Sequence, residues 1–291
     1  MTSESLHTAL YGLGVFSGLG AVFGIALGAA AERFKVAGNP LVDRVRDRLP
    51  SANCGACGFA GCTAYAEAVV ERPEVSPSLC IPGRESVARA VAELTGKDAG
   101  SVQDRVVVMT CHGTSAYARD EALYAGIPTC SAAALIFGGP RACKNGCLGL
   151  ADCVRACPFD ALFIGSGGIA QVNTEKCTGC AVCVSVCPKD LFRLYPRARR
   201  IELSCKAVDK ASVVRSTCMV GCTTCRKCVS KCPANAITWD GRTILIDHDV
   251  CIAYGPSCGE ACTEICPSTI LHKVGQSPEP ELVEIAEPTG A

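Results

Sequence analysis

Two stretches of the sequence decide the fold: CTGCAVCVSVCP at residues 177–188 and CTTCRKCVSKCP at residues 222–233. In each, three cysteines are separated by two residues, and a fourth follows after three more residues, directly before a proline. This is the spacing of bacterial ferredoxins, in which three thiolates bind one [4Fe–4S] cluster and the fourth binds the neighbouring cluster. Each stretch therefore predicts one half of a two-cluster unit.

Two further stretches end in the same Cys-Pro but have longer loops before it, at residues 143–158 and 251–267. Because the last cysteine of each run binds the neighbouring cluster, the four runs predict two units of two clusters each. The predicted ligand sets of the first unit are Cys143, Cys147, Cys153 and Cys187, and Cys177, Cys180, Cys183 and Cys157. Those of the second unit are Cys222, Cys225, Cys228 and Cys266, and Cys251, Cys258, Cys262 and Cys232.

The cysteine content is the outlier of the composition: the chain has 24 cysteines in 291 residues and a formal net charge of zero. Disulfides and zinc sites are the alternatives to clusters. Zinc sites usually need two Cys-x2-Cys pairs and no further cysteine before a proline, so the runs favour iron–sulfur clusters. A chain without a basic excess cannot neutralise many phosphates, so no nucleic-acid partner is expected.

Residues 8–31 carry no charged side chain. This run exceeds the ~20 residues that an apolar helix needs to cross a bilayer. A signal peptide is the alternative, but residues 1–7 lack the basic stretch that such peptides carry. By the positive-inside rule the rest of the chain is expected on the cytoplasmic side, where thiols stay reduced. The basic residues that follow the run are Arg33, Lys35, Arg44, Arg46 and Arg48.

Glycines recur at intervals of four in this segment, at Gly14 and Gly18 and at Gly20, Gly24 and Gly28. Such spacing lets a second helix approach closely, which favours packing against other membrane subunits. A lone anchor with incidental glycines is the alternative. The sequence thus predicts a single-pass anchor within a hetero-oligomer.

The remaining pattern predicts an α+β chain. Helices are predicted at residues 61–72, ended by Pro73, and at residues 84–95, ended by Gly96. The tail is rich in proline and glutamate and is predicted to be disordered. The predicted organisation is a transmembrane anchor (1–35), a small helical 4Fe–4S domain (36–98), two bacterial ferredoxin-like units with two [4Fe–4S] clusters each (99–200 and 201–275) and the tail (276–291).

Cys54, Cys57, Cys62 and Cys80 form a separate group close to the anchor. The glycines between them let the backbone bend closely around a cluster. A zinc knot is the alternative, which spacing alone leaves open. The group predicts a fifth [4Fe–4S] cluster.

The last four cysteines are Cys111, Cys130, Cys205 and Cys218. Cys111 and Cys205 each follow a strand-like stretch and a hydroxyl residue, whereas Cys130 and Cys218 each follow a threonine and precede a ferredoxin unit. These matching places predict that the four meet at a sixth cluster between two related halves. The alternative is four ordinary buried thiols.

The chain resembles the RnfB family, the electron-transfer subunits of Rnf complexes, over about residues 8–270. The resemblance rests on LPSANCGACGFAGC at residues 49–62, on GGPRACKNGCLG at residues 138–149, and on the anchor and the paired repeats around them. It implies a complex in the cell membrane that oxidises reduced ferredoxin, reduces NAD and translocates Na⁺ or H⁺. This chain would be a translocase subunit that takes electrons from soluble ferredoxin and passes them to the membrane and peripheral subunits.

No catalytic acid, base or nucleophile stands out, and no cofactor site beyond the cluster ligands is predicted. Gly96-Lys97 lacks the other residues of a P-loop, so NAD and flavin chemistry is expected on partner subunits. Two other functions compete with the Rnf interpretation. One is a polyferredoxin of another membrane hydrogenase, reductase or redox-sensor reducing system, and the other is a zinc-binding scaffold.

A basic patch is predicted to steer acidic ferredoxin toward the chain. Ordinary solvated surface charge is the alternative. The patch comprises Arg193, Arg197, Arg199, Arg200, Arg226, Lys227 and Lys231.

Overall fold

The structure is a computed structural model that describes residues 3–33 and 39–275. The predicted disordered tail, residues 276–291, lies outside the described residues, as does the end of the predicted anchor. The chain divides into two compact units, of which the first ends at Asp43 and the second begins at Arg44. The predicted domain boundaries at residues 98 and 200 fall inside the second unit.

The first unit contains the long helix α1 (Ser3–Arg33). Its segment Leu10–Arg33 has a mean hydropathy of 1.9, and none of it is buried within the chain. Among the described residues this is the one helix long and apolar enough to cross a membrane. Apolar side chains such as Phe16 and Ile25 are more than 70% exposed, an arrangement that hydrocarbon stabilises and water does not. The predicted apolar N-terminal helix is confirmed.

A small group of helices follows α2 (Pro40–Arg46): α3 (Cys62–Glu71), a 3₁₀ turn (Pro77–Leu79) and α4 (Arg84–Thr95). Helix α4 ends at Gly96, whose φ of 68° is the left-handed conformation of a glycine cap. Tyr65 and Val91 are buried between these helices, and the Tyr65 hydroxyl donates to the Ser76 carbonyl at 3.0 Å. The two helices predicted here are confirmed to within one residue.

Two ferredoxin-like halves make up the rest, and both have the same strand order. In the first, β1 (Arg105–Met109) pairs antiparallel with β4 (Phe192–Pro196) around the hairpin of β2 (Leu162–Ile164) and β3 (Ala170–Val172). In the second, β5 (Ile201–Leu203) pairs with β8 (Leu271–Lys273) around β6 (Ile237–Trp239) and β7 (Ile244–Ile246). The helices are α5 (Cys130–Leu135), α6 (Asp152–Arg155) and α7 (Val182–Val186), then α8 (Ala211–Thr217), α9 (Lys227–Lys231), α10 (His248–Tyr254) and α11 (Ala261–Glu264).

Each half has its own small core of aliphatic side chains and cysteines. Val106, Leu191 and Phe192 are fully buried in the first half, and Ile201 and Ile237 are fully buried in the second. These strands are only three to five residues long, so they bury little apolar surface by themselves. The cysteine-lined interior therefore forms a large share of each core.

The four cysteine runs follow the same backbone path. In each, one residue with a left-handed φ of 52–64° caps a short helix. These residues are Ala151 before α6, Ala181 before α7, Arg226 before α9 and Glu260 before α11. The runs can therefore be aligned by structure as well as by cysteine spacing.

Polar and aromatic contacts join the two halves. The Asn145 amide donates to the Asp209 carboxylate at 2.7 Å, and the Lys206 ammonium donates to Asp190 at 2.5 Å. Nearby, the rings of His112 and His272 stack with their centroids 4.9 Å apart. The halves thus meet at the face where both first strands end.

Candidate metal centres

The first cysteine group in the sequence comprises Cys54, Cys57, Cys62 and Cys80. A tight loop and helix α3 bring its members together. The Asn53 side chain accepts a hydrogen bond from the Cys62 backbone N–H at 2.9 Å. Gly61 has a φ of 145°, and a Cβ there would stand 2.8 Å from the Asn53 oxygen. Burial, and then the neighbouring thiols Cys62, Cys57 and Cys54, raise the pKa of Cys80 to about 11. The structure therefore brings Cys54, Cys57, Cys62 and Cys80 close together.

Three of the four ferredoxin sets have the grouping predicted from the sequence. Each set lines a cavity of its own, and backbone N–H groups point at the sulfurs. Val107 and Ala161, for example, direct their N–H groups at Cys177 and Cys157 at 3.5 and 3.4 Å. The three sets are Cys157, Cys177, Cys180 and Cys183; Cys222, Cys225, Cys228 and Cys266; and Cys232, Cys251, Cys258 and Cys262.

The fourth ferredoxin set differs from the predicted one. Burial, and then the neighbouring thiols of Cys147, Cys130 and Cys187, raise the pKa of Cys153 to about 12. Burial also raises the pKa of Cys130, and the Cys187 thiol adds to this effect. The structure therefore brings Cys130 beside these three cysteines, where the sequence predicted Cys143.

Cys143 instead lies at the junction of the two halves. A cavity there is lined by Cys111, Cys143, Cys205 and Cys218. The Cys205 sulfur receives the N–H groups of Cys222 at 3.2 Å and of Ala207 at 3.4 Å. Burial raises the pKa of Cys111 to about 12. The four-cysteine group expected at this junction is present, with Cys143 in the place predicted for Cys130.

The difference has a structural cause. On sequence alone Thr129-Cys130 matches Thr217-Cys218, because both are Thr-Cys pairs before a ferredoxin unit. In the structure Cys130 opens helix α5, whereas Cys218 ends helix α8. The two dipeptides therefore occupy unrelated places, and the shared threonine is a coincidence of local sequence.

The thiol geometry suits clusters. None of the 24 cysteines, all of which the structure describes, forms a disulfide. Among the described residues, no three His, Cys, Asp or Glu side chains converge closely enough to hold one metal ion. Zinc would draw its sulfurs to about 2.3 Å from a single centre, whereas these thiols surround cavities with N–H groups directed inward. Soft thiolates and N–H donors around a larger space are the donor set of an iron–sulfur cluster.

The cysteine sets form a continuous series within the second unit. Neighbouring thiols lie close enough for the charge of one to raise the pKa of the other, after the larger effect of burial. The last two sets share one core. The joining pairs, in order from the small helical group, are Cys54 and Cys180, Cys183 and Cys153, Cys147 and Cys111, Cys205 and Cys222, and Cys228 and Cys262.

Four of the seven residues of the predicted basic patch form ion pairs with acidic residues of this chain. Arg199 is 4% exposed and forms an ion pair with Glu202, so the prediction is wrong for this residue. Arg200 is held by Glu260 and the Gly255 carbonyl, and its two terminal guanidinium nitrogens lie 3.9 Å from the Cys258 sulfur. The other two paired arginines are Arg193, bound to Asp190, and Arg197, bound to Asp104.

The remaining part of the patch is exposed. Arg226, which caps helix α9, and Lys227 and Lys231 within it are exposed, and in the part of the chain that the structure describes none of them pairs with an acidic side chain. The Arg226 guanidinium lies over the Trp239 ring, 4.6 Å from its centroid. Of the 24 cysteines, all of them described, Cys225 alone is exposed, and it is adjacent to this group. The exposed part of the predicted patch is thus next to the cysteine set that contains Cys225.

Arg141 is a site residue that the sequence reasoning missed. It is 6% exposed and donates to the carbonyls of Gly113 and Gly168. Its guanidinium also lines the cavity at the junction, where its charge lowers the pKa of Cys143 and Cys218 against the larger effect of burial. The available signal was its place in the GGPRAC stretch, two residues before Cys143.

Comparison with known proteins adds the family context. Residues 49–82 match a family described as "Putative Fe-S cluster", and residues 139–188 match the 4Fe-4S dicluster domain. The chain is 45% identical to the B-type subunit of the proton-translocating ferredoxin:NAD(+) oxidoreductase complex of Clostridium ljungdahlii, over 92% of this chain and 94% of the relative. It is 39% identical to the Na(+)-translocating counterpart of Acetobacterium woodii (91% and 78%), and 37% identical to the counterpart in the ion-translocating oxidoreductase complex of Methanosarcina acetivorans (89% and 96%).

Proposed function

Because this chain belongs to the RnfB family of the ion-translocating oxidoreductase complexes, we propose that it is the membrane-anchored subunit that accepts electrons from reduced ferredoxin. It relays them within a Na⁺- or H⁺-translocating ferredoxin:NAD oxidoreductase. The unbroken series of cysteine sets carries this proposal. A chain that only bound zinc would not need its sites to adjoin one another.

The residues of the chain have three tasks in this function. When bound, [4Fe–4S] clusters supply one-electron oxidation and reduction. The 24 cysteines hold them, five sets being assigned to five clusters and the group at the junction to a sixth. Backbone N–H groups at the sulfurs stabilise negative charge, and the buried surroundings exclude water. The other subunits supply the NAD and flavin chemistry.

Ferredoxin is proposed to dock on the second ferredoxin-like half. Cys225 is exposed there, Arg226 and Lys227 line the same cavity, and Lys231 lies one turn further along helix α9. None of the three basic residues has an acidic partner among the described residues. Positive charge at this place attracts an acidic electron donor and brings it next to an accessible cysteine set. The opposite end of the series, at Cys54 and Cys80, follows the membrane helix in the chain and would deliver electrons to the membrane subunits.

The first prediction tests this docking. In the intact complex, Lys227→Glu combined with Lys231→Glu should slow oxidation of reduced ferredoxin about tenfold at low salt, since surface charge acts mainly on the rate of encounter. Stopped-flow absorbance in increasing NaCl measures the rate. The difference from wild type should shrink as salt rises, because screening removes the repulsion.

The matched control is Lys210→Glu, which reverses the charge of an exposed lysine at the start of helix α8. It should leave the rate within a factor of two. Equal rates in the double variant and wild type at low salt would reject the docking surface. A complex that carries no iron on this chain, with no bleaching by dithionite, would reject the electron-carrying function itself.

The anchor is proposed to cross the membrane once, with the cysteine-bearing unit in the cytoplasm. The basic residues Arg44, Arg46 and Arg48, which follow the apolar helix, support this orientation. A fluorescent protein fused after the chain should therefore be bright in whole cells, and alkaline phosphatase fused at the same place should be inactive.

A further inference from the structure

The structural alignment of the runs shows a missing ligand in the first one. In the regular run 177–187 the second cysteine, Cys180, directly precedes the left-handed residue Ala181. In the run that ends at Cys157 the equivalent left-handed residue is Ala151, and Leu150 precedes it. Leu150 therefore occupies the position of the second ligand and has no group that can bind iron.

Cys130 occupies the space that this run leaves vacant. In the regular run the Cys180 sulfur receives the N–H of Val182, two residues further on. The equivalent N–H in the first run is that of Asp152, and it points at the sulfur of Cys130, as does the N–H of Leu150. Helix α5 thus delivers a thiol from outside the run to the place of the absent second ligand.

The same alignment shows that Cys143 does not match any of the four ligand positions of the first run. Cys147 is the first ligand of that run, and Cys143 precedes it by four residues. In the second half Cys218 precedes the first ligand Cys222 by the same four residues. Cys143 and Cys218 are therefore equivalent positions in the two halves.

Cys111 and Cys205 form a second equivalent pair. Each lies two residues beyond its first strand, β1 or β5, and their backbones face each other as an antiparallel bridge. The four cysteines at the junction are thus two matching pairs, one pair from each half, related by an approximate twofold arrangement.

The backbone around the junction cysteines has the arrangement seen in the regular runs. The N–H of the residue two positions further on faces each sulfur, as at Cys180 and Cys222, and for Cys205 it forms a hydrogen bond of 3.4 Å. The donors are Gly113 for Cys111, Asn145 for Cys143, Ala207 for Cys205 and Val220 for Cys218. Four ordinary buried thiols have no reason to share this local geometry.

We propose that Cys111, Cys143, Cys205 and Cys218 ligate one [4Fe–4S] cluster between the halves, and that Cys130 replaces Leu150 as a ligand of the cluster held by Cys147, Cys153 and Cys187. The proposal rests on the proposed function only in treating these cysteines as cluster ligands. It identifies the junction cluster as the connection between the first and the second ferredoxin-like half. On one side the backbone N–H of Cys147 faces the Cys111 sulfur, and on the other the N–H of Cys222 donates to the Cys205 sulfur at 3.2 Å.

Pairs of alanine variants in the full chain test the grouping without any measurement of electron transfer. Iron and acid-labile sulfide per chain, with EPR of the dithionite-reduced protein, are compared with wild type. Cys143→Ala and Cys218→Ala should each remove the same EPR signal, with about four irons lost. Because both act on one cluster, the double variant should lose no second signal.

The matched pair combines Cys130→Ala with Cys218→Ala. These residues serve different clusters in the proposal, so the double variant should lose two signals and about eight irons. The opposite pattern, a second loss in the 143/218 pair and none in the 130/218 pair, would overturn the assignment. Undiminished iron in both Cys143→Ala and Cys218→Ala would show that no cluster lies at the junction.

A rescue variant covers the case in which Cys130→Ala only impairs folding. Leu150→Cys added to Cys130→Ala recreates the regular spacing of cysteines at 147, 150, 153 and 157. Iron and the lost signal should return, because the new thiol lies at the position of a second ligand. A double variant that stays short of iron would refute the replacement of Leu150 by Cys130.

Discussion

Gly179 illustrates how closely the chain wraps each cysteine set. It lies between Cys177 and Cys180 with a φ of 75°, and a Cβ added there would stand 2.5 Å from the Arg105 carbonyl oxygen. An alanine at this position meets two obstacles, the left-handed backbone conformation and a collision with the edge of β1. The loop must therefore shift away from the strand if any side chain is present.

The second prediction follows from this contact. Gly179→Ala should destabilise the protein by about 3 kcal/mol, as the sum of the left-handed conformation and the clash. Gly241→Ala is the control, because Gly241 has a φ of 96° but nothing within 4 Å of its added Cβ. It should cost only about 1 kcal/mol. Thermal unfolding under anaerobic conditions measures both, and equal Tm values would contradict the argument.

The sequence did not reveal which acidic side chains pair with the arginines. The cysteines were recognised because ligand spacing is local. Arg199 and Arg200 were interpreted as surface charge, yet their partners are Glu202 and the more distant Glu260. The pairing of Arg200 with Glu260 and the burial of Arg199 both depend on the strand arrangement, which charge patterning does not encode.

Helix α5 is the element that distinguishes the first half from the second. Thr129 caps its first turn, accepting the N–H of Ala132 at 3.2 Å. The Asp152 carboxylate then accepts both the N–H of Ser131 at 3.0 Å and its hydroxyl at 2.8 Å. Asp152 thus fixes the start of α5, and with it Cys130, against the start of α6.

The third prediction tests this connection. Asp152→Ala should remove both hydrogen bonds at a cost of about 2 kcal/mol and lower the iron content, because Cys130 is no longer held in place. Ser131→Ala removes only the hydroxyl bond and should have roughly half the effect. Tm and iron per chain measure the two variants. An Asp152→Ala protein with normal iron would show that α5 is positioned by other contacts.

The elements themselves were predicted unevenly. Helices α3 and α4 were found to within a residue because Pro73 and Gly96 end them by local rules. The strand-like stretches before Cys111 and Cys205 became β1 and β5. Their partners β4 and β8 were not predicted, since pairing over some seventy to ninety residues leaves no short-range pattern in the sequence.

At the scale of the molecule, the small cores make the fold depend on its metal. The strands are short, and each ferredoxin-like half surrounds its cysteine sets with few large side chains. Binding energy at sites that exist only in the folded state contributes directly to folding. The chain should therefore lose its tertiary structure when its iron is removed.

The fourth prediction states this as a measurement. Oxidation and chelation of the purified protein in detergent should remove hydrogen-exchange protection from β1, β4, β5 and β8. Helix α1 is the internal control, because its hydrogen bonds need no cysteine, and it should stay protected. Persistent protection of the four strands in iron-free protein would show that the aliphatic cores suffice alone.

At the scale of the molecule, the separate cysteine runs could be predicted from the sequence, but the cysteines at the junction of the two halves could not. Local spacing sufficed for the grouping of three of the four ferredoxin sets and for the existence of two halves. The composition of the junction could not be read in the same way, because a loop with α5 separates Cys111 from Cys143 in one half only. That insertion hid the equivalence of Cys143 and Cys218 and made Cys130 look like the counterpart.

The twofold arrangement at the junction has a consequence for assembly. Each half contributes two thiols, so either half alone could complete the site only by meeting a second molecule. Covalent linkage replaces that meeting with an intramolecular step at an effective concentration in the millimolar range. Formation of the site is then independent of how much of the protein a cell contains, and the Asn145–Asp209 and Lys206–Asp190 contacts align the two halves for it.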